Sequence, residues 1–579
     1  MKKITPITRP ILFQAACCFV LAFWTSCQNG YEPKDMAADF ILYNGSFATM
    51  DSAYTDVEAL AVRDGRIWKL GKREEAQAWA DDSTRWWDIQ GAFVMPGFVE
   101  GHAHFESLGK SLMNLNFLHA RSWNEIVQQV AQAVEKAPPG RWIQGRGWHQ
   151  EKWDTPPKET VGDYPLHHGL SAVSPNNPVI LFHASGHALF ANEAAMRVAG
   201  ISAETPDPPG GVILRDAAGQ AIGVFEENAM SLITSAWEDY LDQLPDTERE
   251  AQWRKALDLA QNECFKHGIT TFIDAGCSPE EALRYRHLAK AGDLQIRLYT
   301  MLYGDPTALE LALQKEDLPV RLSANENFSC RAIKAYFDGA LGSHGAWLLE
   351  PYSDLPESTG QNTTPIDSLK RFAKMALENE MQLCVHAIGD RANREVLNLF
   401  EQFLPEKPSP LRWRVEHAQH IHPDDIPRFA ELGVIPAMQS IHCTSDAPFV
   451  IERLGEERAR TGAYAWRSLL DHGARIANGT DAPVEEIDPI PNFYAAVTRK
   501  PVGQAGAFFP EQRMSREEAL RSYTIDAAYA AFFDHITGSL SPGKWADIVV
   551  LSQNLLTCLE EEILQTKVLY TFVRGERVQ

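Results

Sequence analysis

Val94-Met-Pro-Gly-Phe-Val-Glu-Gly-His102, continued by Ala103 and His104, is the stretch that decides the fold. An apolar run ends in ionisable residues, and His102 and His104 stand two apart. On a strand that spacing puts both imidazoles on one face. Alone the pair is a weak signal, because the chain carries 18 histidines. Its weight comes from repetition. Seven later runs have the same character: Gly268–Asp274, Ile296–Leu302, Ala332–Asp338, Gln382–His386, Arg412–His417, Gly433–Gln439 and Arg475–Asp481. Helix-like stretches such as Glu250–Lys266 and Ser368–Glu380 separate most of them. Eight strand–helix units predict an α/β fold, a (β/α)8 TIM-type barrel whose C-terminal strand ends carry the chemistry.

Working outward, the interval between the first and second runs is too long for one helix, so residues 111–254 are expected to form an inserted subdomain covering the site. Short β runs flank the barrel at both ends of the chain. Asp39–Gly45 and Ala59–Trp68 lie before it, Ala546–Leu551 and Val568–Gly575 after it. Such groups are expected to pair into one small β-sandwich domain, made of residues 38–95 and 530–579. The barrel then takes 96–110 and 255–529.

The 579 residues are 45% hydrophobic and 23% charged, which excludes a disordered or fibrous chain. A formal net charge of -23 argues against a nucleic-acid partner. Lys2, Lys3 and Arg9 precede an apolar stretch, Ile11–Trp24, of signal-peptide length. Small residues then lead to Cys27. Residues 1–26 look like a bacterial lipoprotein signal, with Cys27 lipidated, which places the mature protein in the bacterial cell envelope on a membrane anchor. An ordinary cleaved signal with a chance cysteine is the alternative. The six cysteines beyond Cys27 show no CxxC spacing, so neither a zinc knuckle nor a disulfide framework is indicated.

The strand ends converge on one chemistry. His386, His417 and Asp481 close the fifth, sixth and eighth runs, and Lys334 lies inside an apolar strand, where a lysine is costly unless partnered. With His102 and His104, this set suits a two-metal centre. Zinc is favoured, although iron, manganese and nickel accept similar ligands.

Together these motifs resemble the amidohydrolase superfamily, and within it the third amidohydrolase family, which includes N-substituted formamide deformylase-like metal-dependent hydrolases. The resemblance runs from about Ala38 to Arg577. It is carried by Met95–His104, Ile333–Gly342, Val385–Asn393, Val415–Gln419, Ala463–Leu470, Asn478–Val484 and Gly538–Asp547. It implies that His102, His104 and Asp481 hold the more buried metal, that His386 and His417 hold the other, and that Lys334, carbamylated by carbon dioxide, bridges the two. A neutral or ion-paired Lys334 beside a single metal is the alternative. It further implies cleavage of a non-peptide C–N bond, in an N-acyl or N-formyl amine or a cyclic amide, by a metal-activated hydroxide, with Asp481 moving the proton.

The small-molecule substrate is expected to meet His187, Trp148, His344, His442, Arg453 and Glu227. The family pattern has Arg-Thr where this chain has His344-Gly345, so a known substrate cannot simply be copied. A homodimer is the family-level expectation. Two other functions stay open at this stage: a related metal-centre C–O hydrolase or isomerase, and a lipid-anchored binding protein with a vestigial site. A nucleophilic-serine enzyme gains no support, since the sequence has no Gly-x-Ser-x-Gly elbow.

Overall fold

The computed structural model describes residues 37–579 apart from 151–152, 156, 162–163, 184–187, 209–210, 316, 323–326 and 504–505, and only the backbone of Glu227. Eight strands form one parallel sheet in chain order: β1 Phe98–Ala103, β2 Ile269–Cys277, β3 Arg297–Leu302, β4 Phe328–Tyr336, β5 Gln382–Ala387, β6 Arg414–His417, β7 Ile435–Met438 and β8 Ala477–Asn478. The strands are buried almost throughout, as a parallel sheet covered by helices requires. The barrel closes where β8 returns to β1. There the Asp481 N–H donates to the His102 carbonyl at 2.7 Å, and the His104 N–H to the Ala482 carbonyl at 2.8 Å. Gly101 permits this approach, because a Cβ at that position would lie 2.3 Å from the Asn478 carbonyl oxygen.

Period-two alternation sets what faces inward. Ala332 and Cys384 pack in the barrel interior with Val99, Ile273, Tyr299, Met301 and Ala437, over a floor formed by Ala527, Ala528 and Phe533. Two residues further along the same strands stand Lys334 and His386, so the inward line that fills the core below carries polar groups above.

The run 94–102 is not one strand. Phe93–Pro96 belongs to a separate sheet, and the chain turns at Gly97 before β1 begins. Pro96 has no N–H to continue a ladder, and the Gly97 N–H is spent on the Asp547 carbonyl at 3.0 Å. Phe93–Pro96 pairs with Ile548–Leu551, which pairs with Val568–Val573, in a five-stranded sheet. A four-stranded sheet made of Phe40–Tyr43, Ala59–Arg63, Arg66–Gly71 and Arg85–Asp88 lies against it. Phe40, Leu42, Leu60 and Val62 of one share an apolar core with Val94, Ile548, Val550 and Phe572 of the other. Between β1 and β2 the chain builds a six-stranded sheet from Leu115–Asn116, Ile143–Trp148, Val179–His183, Ala188–Ala191, Gly211–Arg215 and Ala221–Glu227. It reaches the barrel rim beside Asp481: Arg146 donates to the Pro483 carbonyl at 2.7 Å, and His119 meets Glu486 at 3.2 Å.

Arg297 at the start of β3 and Asp547 beside the five-stranded sheet form a fully buried ion pair at 2.7 Å. Asp547 also accepts from Thr537 at 2.8 Å and from the Arg574 N–H at 2.9 Å. Removing only the cation leaves the carboxylate buried without its counter-charge. Arg297→Leu should therefore cost about 3–5 kcal/mol, read as a lower denaturant midpoint. The double variant Arg297→Leu/Asp547→Leu should recover part of that loss. A single-variant cost below about 1 kcal/mol would show that the pair does not anchor the end sheets to the barrel.

Candidate metal centre

His102, His417 and Asp481 each offer a ligand atom, and these atoms lie within 4.8 Å of one another. His104 joins them, its Nε2 lying 3.3 Å from Asp481 Oδ1, with His102 Nε2 at 3.5 Å from the same oxygen. The His417 ring stands between His102, at 4.7 Å between centroids, and His386, at 4.5 Å. Tyr336 lies against His386 at 5.1 Å, and Lys334 Nζ sits 4.9 Å over the Tyr336 ring. The six residues predicted to hold metal thus converge at the C-terminal mouth of the barrel, contributed by β1 and the residue after it, β4, β5, β6 and the segment after β8.

Backbone geometry shows how tightly this mouth is specified. His417 has φ +72° and Asp481 φ +60°, in the left-handed region that non-glycine residues seldom adopt. Each such residue costs on the order of 1–3 kcal/mol unless its surroundings fix it. For Asp481 the bond to the His102 carbonyl does so; for His417 the next N–H, that of Ala418, donates to the Ala387 carbonyl at 3.1 Å.

The charged groups behind the site are paired with care. Arg414 grips Glu416 through Nε at 2.7 Å and Nη2 at 2.8 Å, and the same Nη2 donates to the Gly101 carbonyl at 2.8 Å. Burial alone would push the Glu416 carboxyl up, but Arg414 and then His102 outweigh it and hold it at about 2. Glu416 in turn accepts from His102 Nδ1. His417 Nδ1 donates to Gln439 Oε1 at 2.7 Å. These partners turn the other imidazole nitrogen of each ring toward the site. Burial and the neighbouring imidazoles act against each other on Asp481. The pull of His102 and His104 wins and keeps it well below the usual carboxylate range. Burial pushes His386 down to about 3 and His417 well below its ordinary value. Neutral imidazoles and an ionised carboxylate are the protonation states that metal binding needs.

What remains unsatisfied supports the same reading. His102 Nε2, both His386 nitrogens, Lys334 Nζ and Asp481 Oδ1 are buried without a hydrogen-bond partner. Lys334 is 1% exposed, and burial lowers its affinity for a proton against the pull of Glu416 and Asp481. Buried polar atoms are rarely left unpaired, and a cluster of them, mostly imidazole and carboxylate, fits divalent cations.

The structure also brings in acids to which the sequence reading gave no role. Glu100 accepts from the Thr480 N–H at 2.7 Å and the His102 N–H at 3.1 Å, and burial raises it to about 8. Asp274 accepts from the Phe105 N–H at 3.0 Å and is raised by burial to about 7. Asp338 accepts from the N–H groups of Trp347, Ile388 and Gly389 at 2.8–2.9 Å, and its Oδ1 lies 3.7 Å from His386 Nε2. Their signal was present: an acid within or ending an otherwise apolar strand.

The expected substrate contacts fare differently. Trp148 is fully buried in the core of the inserted sheet and donates its indole N–H to the Leu181 carbonyl at 2.8 Å, so it is a packing residue and not a pocket wall. His344 and Arg453 both turn to Asp354, His344 at 3.0 Å, and Arg453 also donates to the Gly342 carbonyl at 3.2 Å. They tie the loop after β4 to the helix Ser440–Leu454. Among the described side chains of the group, His442 alone lies beside the metal-facing residues, its ring 6.2 Å from that of His417. His187 lies outside the described residues, as does the side chain of Glu227, and so does Cys27.

Comparison with known proteins agrees with this geometry. The sequence profile of an amidohydrolase family matches residues 85–579. The chain is 32% identical to Protein LONG AFTER FAR-RED 3 of Arabidopsis thaliana, over 96% of this chain and 94% of that one. It is 28% identical to the N-substituted formamide deformylase of Arthrobacter pascens, over 93% and 97%. The crystal structure of a metal-dependent hydrolase from Pyrococcus horikoshii superposes with a TM-score of 0.72 at 25% identity, covering 90% of this chain and 99% of that one. A closed parallel barrel with histidines and an aspartate gathered at its mouth, and a profile spanning most of its length, place this chain in the amidohydrolase family.

Proposed function

We propose that this protein hydrolyses a non-peptide C–N bond, in an N-acyl or N-formyl amine or a cyclic amide, at a centre of two divalent cations, with zinc the favoured ion. The observation that carries the reading is the group of buried, unpartnered ligand atoms around Asp481. Similarity to a relative named for formamide deformylation supports the bond type. His102, His104 and Asp481 would hold one cation and His386 and His417 the other. Lys334, once its amine nitrogen has added to carbon dioxide and lost a proton, would be a carbamate long enough to bridge them. The cations supply Lewis acidity and make water acidic enough to ionise near neutral pH. Asp481 takes the proton of the attacking water on its carboxylate and delivers it to the leaving nitrogen as the C–N bond breaks. The two end-built sheets are read as a β-sandwich that braces the barrel from below, and Cys27 as the attachment point of a lipid anchor.

Zinc-loaded protein incubated with a panel of N-formyl and N-acyl amines should release free amine. Asp481→Asn keeps the shape but cannot carry the proton, and should lower turnover by about 10²–10⁴-fold. Activity within about tenfold of wild type would remove Asp481 from that role, and no amine release from any panel member would overturn the C–N reading. For the anchor, Cys27→Ala should move the protein out of the membrane fraction or leave it unprocessed. Membrane association that survives this substitution, with the signal cleaved, would refute lipidation at Cys27.

A further inference from the structure

The wall beside His417 holds an imidazole for which the metal reading has no use. His442 lies on the helix Ser440–Leu454, buried, with its ring stacked 19° from parallel with that of His417. Its Nδ1 lies 3.1 Å from Gln419 Nε2. An amide nitrogen only donates, so Nδ1 must accept, and a neutral imidazole then carries its proton on Nε2. That Nε2 is buried without a partner, like the metal-facing atoms around it. Asp446, one turn along the same helix, does not claim it; its carboxylate accepts from the Tyr464 hydroxyl at 2.5 Å.

The neighbouring ring is set the other way. His417 Nδ1 meets the oxygen of Gln439, whose amide nitrogen is committed to the Ala437 carbonyl at 3.2 Å. His417 therefore carries its proton on Nδ1 and presents a lone pair at Nε2. Two glutamines thus hold two stacked imidazoles in opposite tautomers. One is left as a ligand and the other as a donor. A neutral donor is not repelled by nearby cations, and a fixed N–H directed at an oxygen that gains charge is worth most in a water-poor site.

We propose that His442 is a catalytic residue that donates an Nε2–H hydrogen bond to the substrate's carbonyl oxygen, and that Gln419 is the positioning residue that selects this tautomer. This deepens the hydrolase reading above and rests on it. It also narrows the substrate to one that presents a carbonyl oxygen on the His417 side of the centre.

The test uses zinc-loaded protein labelled with ¹⁵N-histidine. Long-range ¹H–¹⁵N correlation spectra, with His442 assigned by its loss in His442→Phe, should show a neutral ring protonated at Nε2. In Gln419→Leu the two neutral tautomers should mix. On an acyl amine that the wild type turns over, His442→Phe should lower kcat by about 10²–10³-fold, with metal content unchanged and KM within a few-fold. His442→Gln keeps an N–H donor and should retain at least ten times the turnover of the Phe variant. A His442 ring protonated at Nδ1, or at both nitrogens, would overturn the proposal, as would equal turnover in the Phe and Gln variants. If no acyl amine is cleaved at all, the hydrolase reading fails and the proposed role fails with it, while the spectra still report the tautomer separately.

Discussion

The buried pair of Arg414 and Glu416 is the interaction on which the rest of this site depends. Taking a carboxylate and a guanidinium out of water is unfavourable unless every lone pair and proton finds a partner. Here most of them are satisfied within the barrel, Arg414 Nη1 being the exception. Two parallel N–H···O bonds join the pair, one guanidinium nitrogen reaches across to the Gly101 carbonyl on β1, and the carboxylate receives His102 Nδ1. A single ion pair therefore links β6 to β1 and fixes the rotation of an imidazole. With Nδ1 committed, His102 Nε2 can only face Asp481.

From that fixed ring the mouth of the barrel follows. Asp481 is held by the His102 carbonyl in a left-handed backbone conformation, and His417, the residue after Glu416, adopts the same conformation at the end of β6. Strain of this kind persists where surrounding structure over-determines it, and such sites are commonly functional. The unpaired atoms at the same place describe a site prepared for charge it does not itself contain: two imidazoles, a carboxylate and a lysine, shielded from water and not bonded to each other. Divalent cations relieve that arrangement; apolar packing cannot.

Much of this was legible in the amino-acid order because the barrel obeys a period of two. Ala332 and Lys334, like Cys384 and His386, are alternate residues on their strands, so an apolar core position predicts the facing of the polar one above it. The parts that were not legible depend on partners distant in sequence. Glu416 lay inside a recognised motif, yet its role needs Arg414 on the same strand and His102 more than three hundred residues away. Trp148 reads as a substrate contact in the sequence; its place in the core depends on the distant Leu181 carbonyl that takes its N–H. His344 and Arg453 looked like substrate contacts because Asp354, which engages both, sits in a loop with no periodicity to place it. The break at Gly97 was hidden because two strands in different sheets run on with almost no linker.

The proposal that Lys334 bridges two cations is tested most directly by counting metal. Protein purified with zinc and bicarbonate, then freed of loosely held ions, should carry two zinc ions per chain. Lys334→Ala should carry fewer, and a small carboxylic acid in excess should restore part of the difference by standing in for the missing carbamate. Equal metal content in wild type and Lys334→Ala, or no tightly held metal in either, would contradict the account.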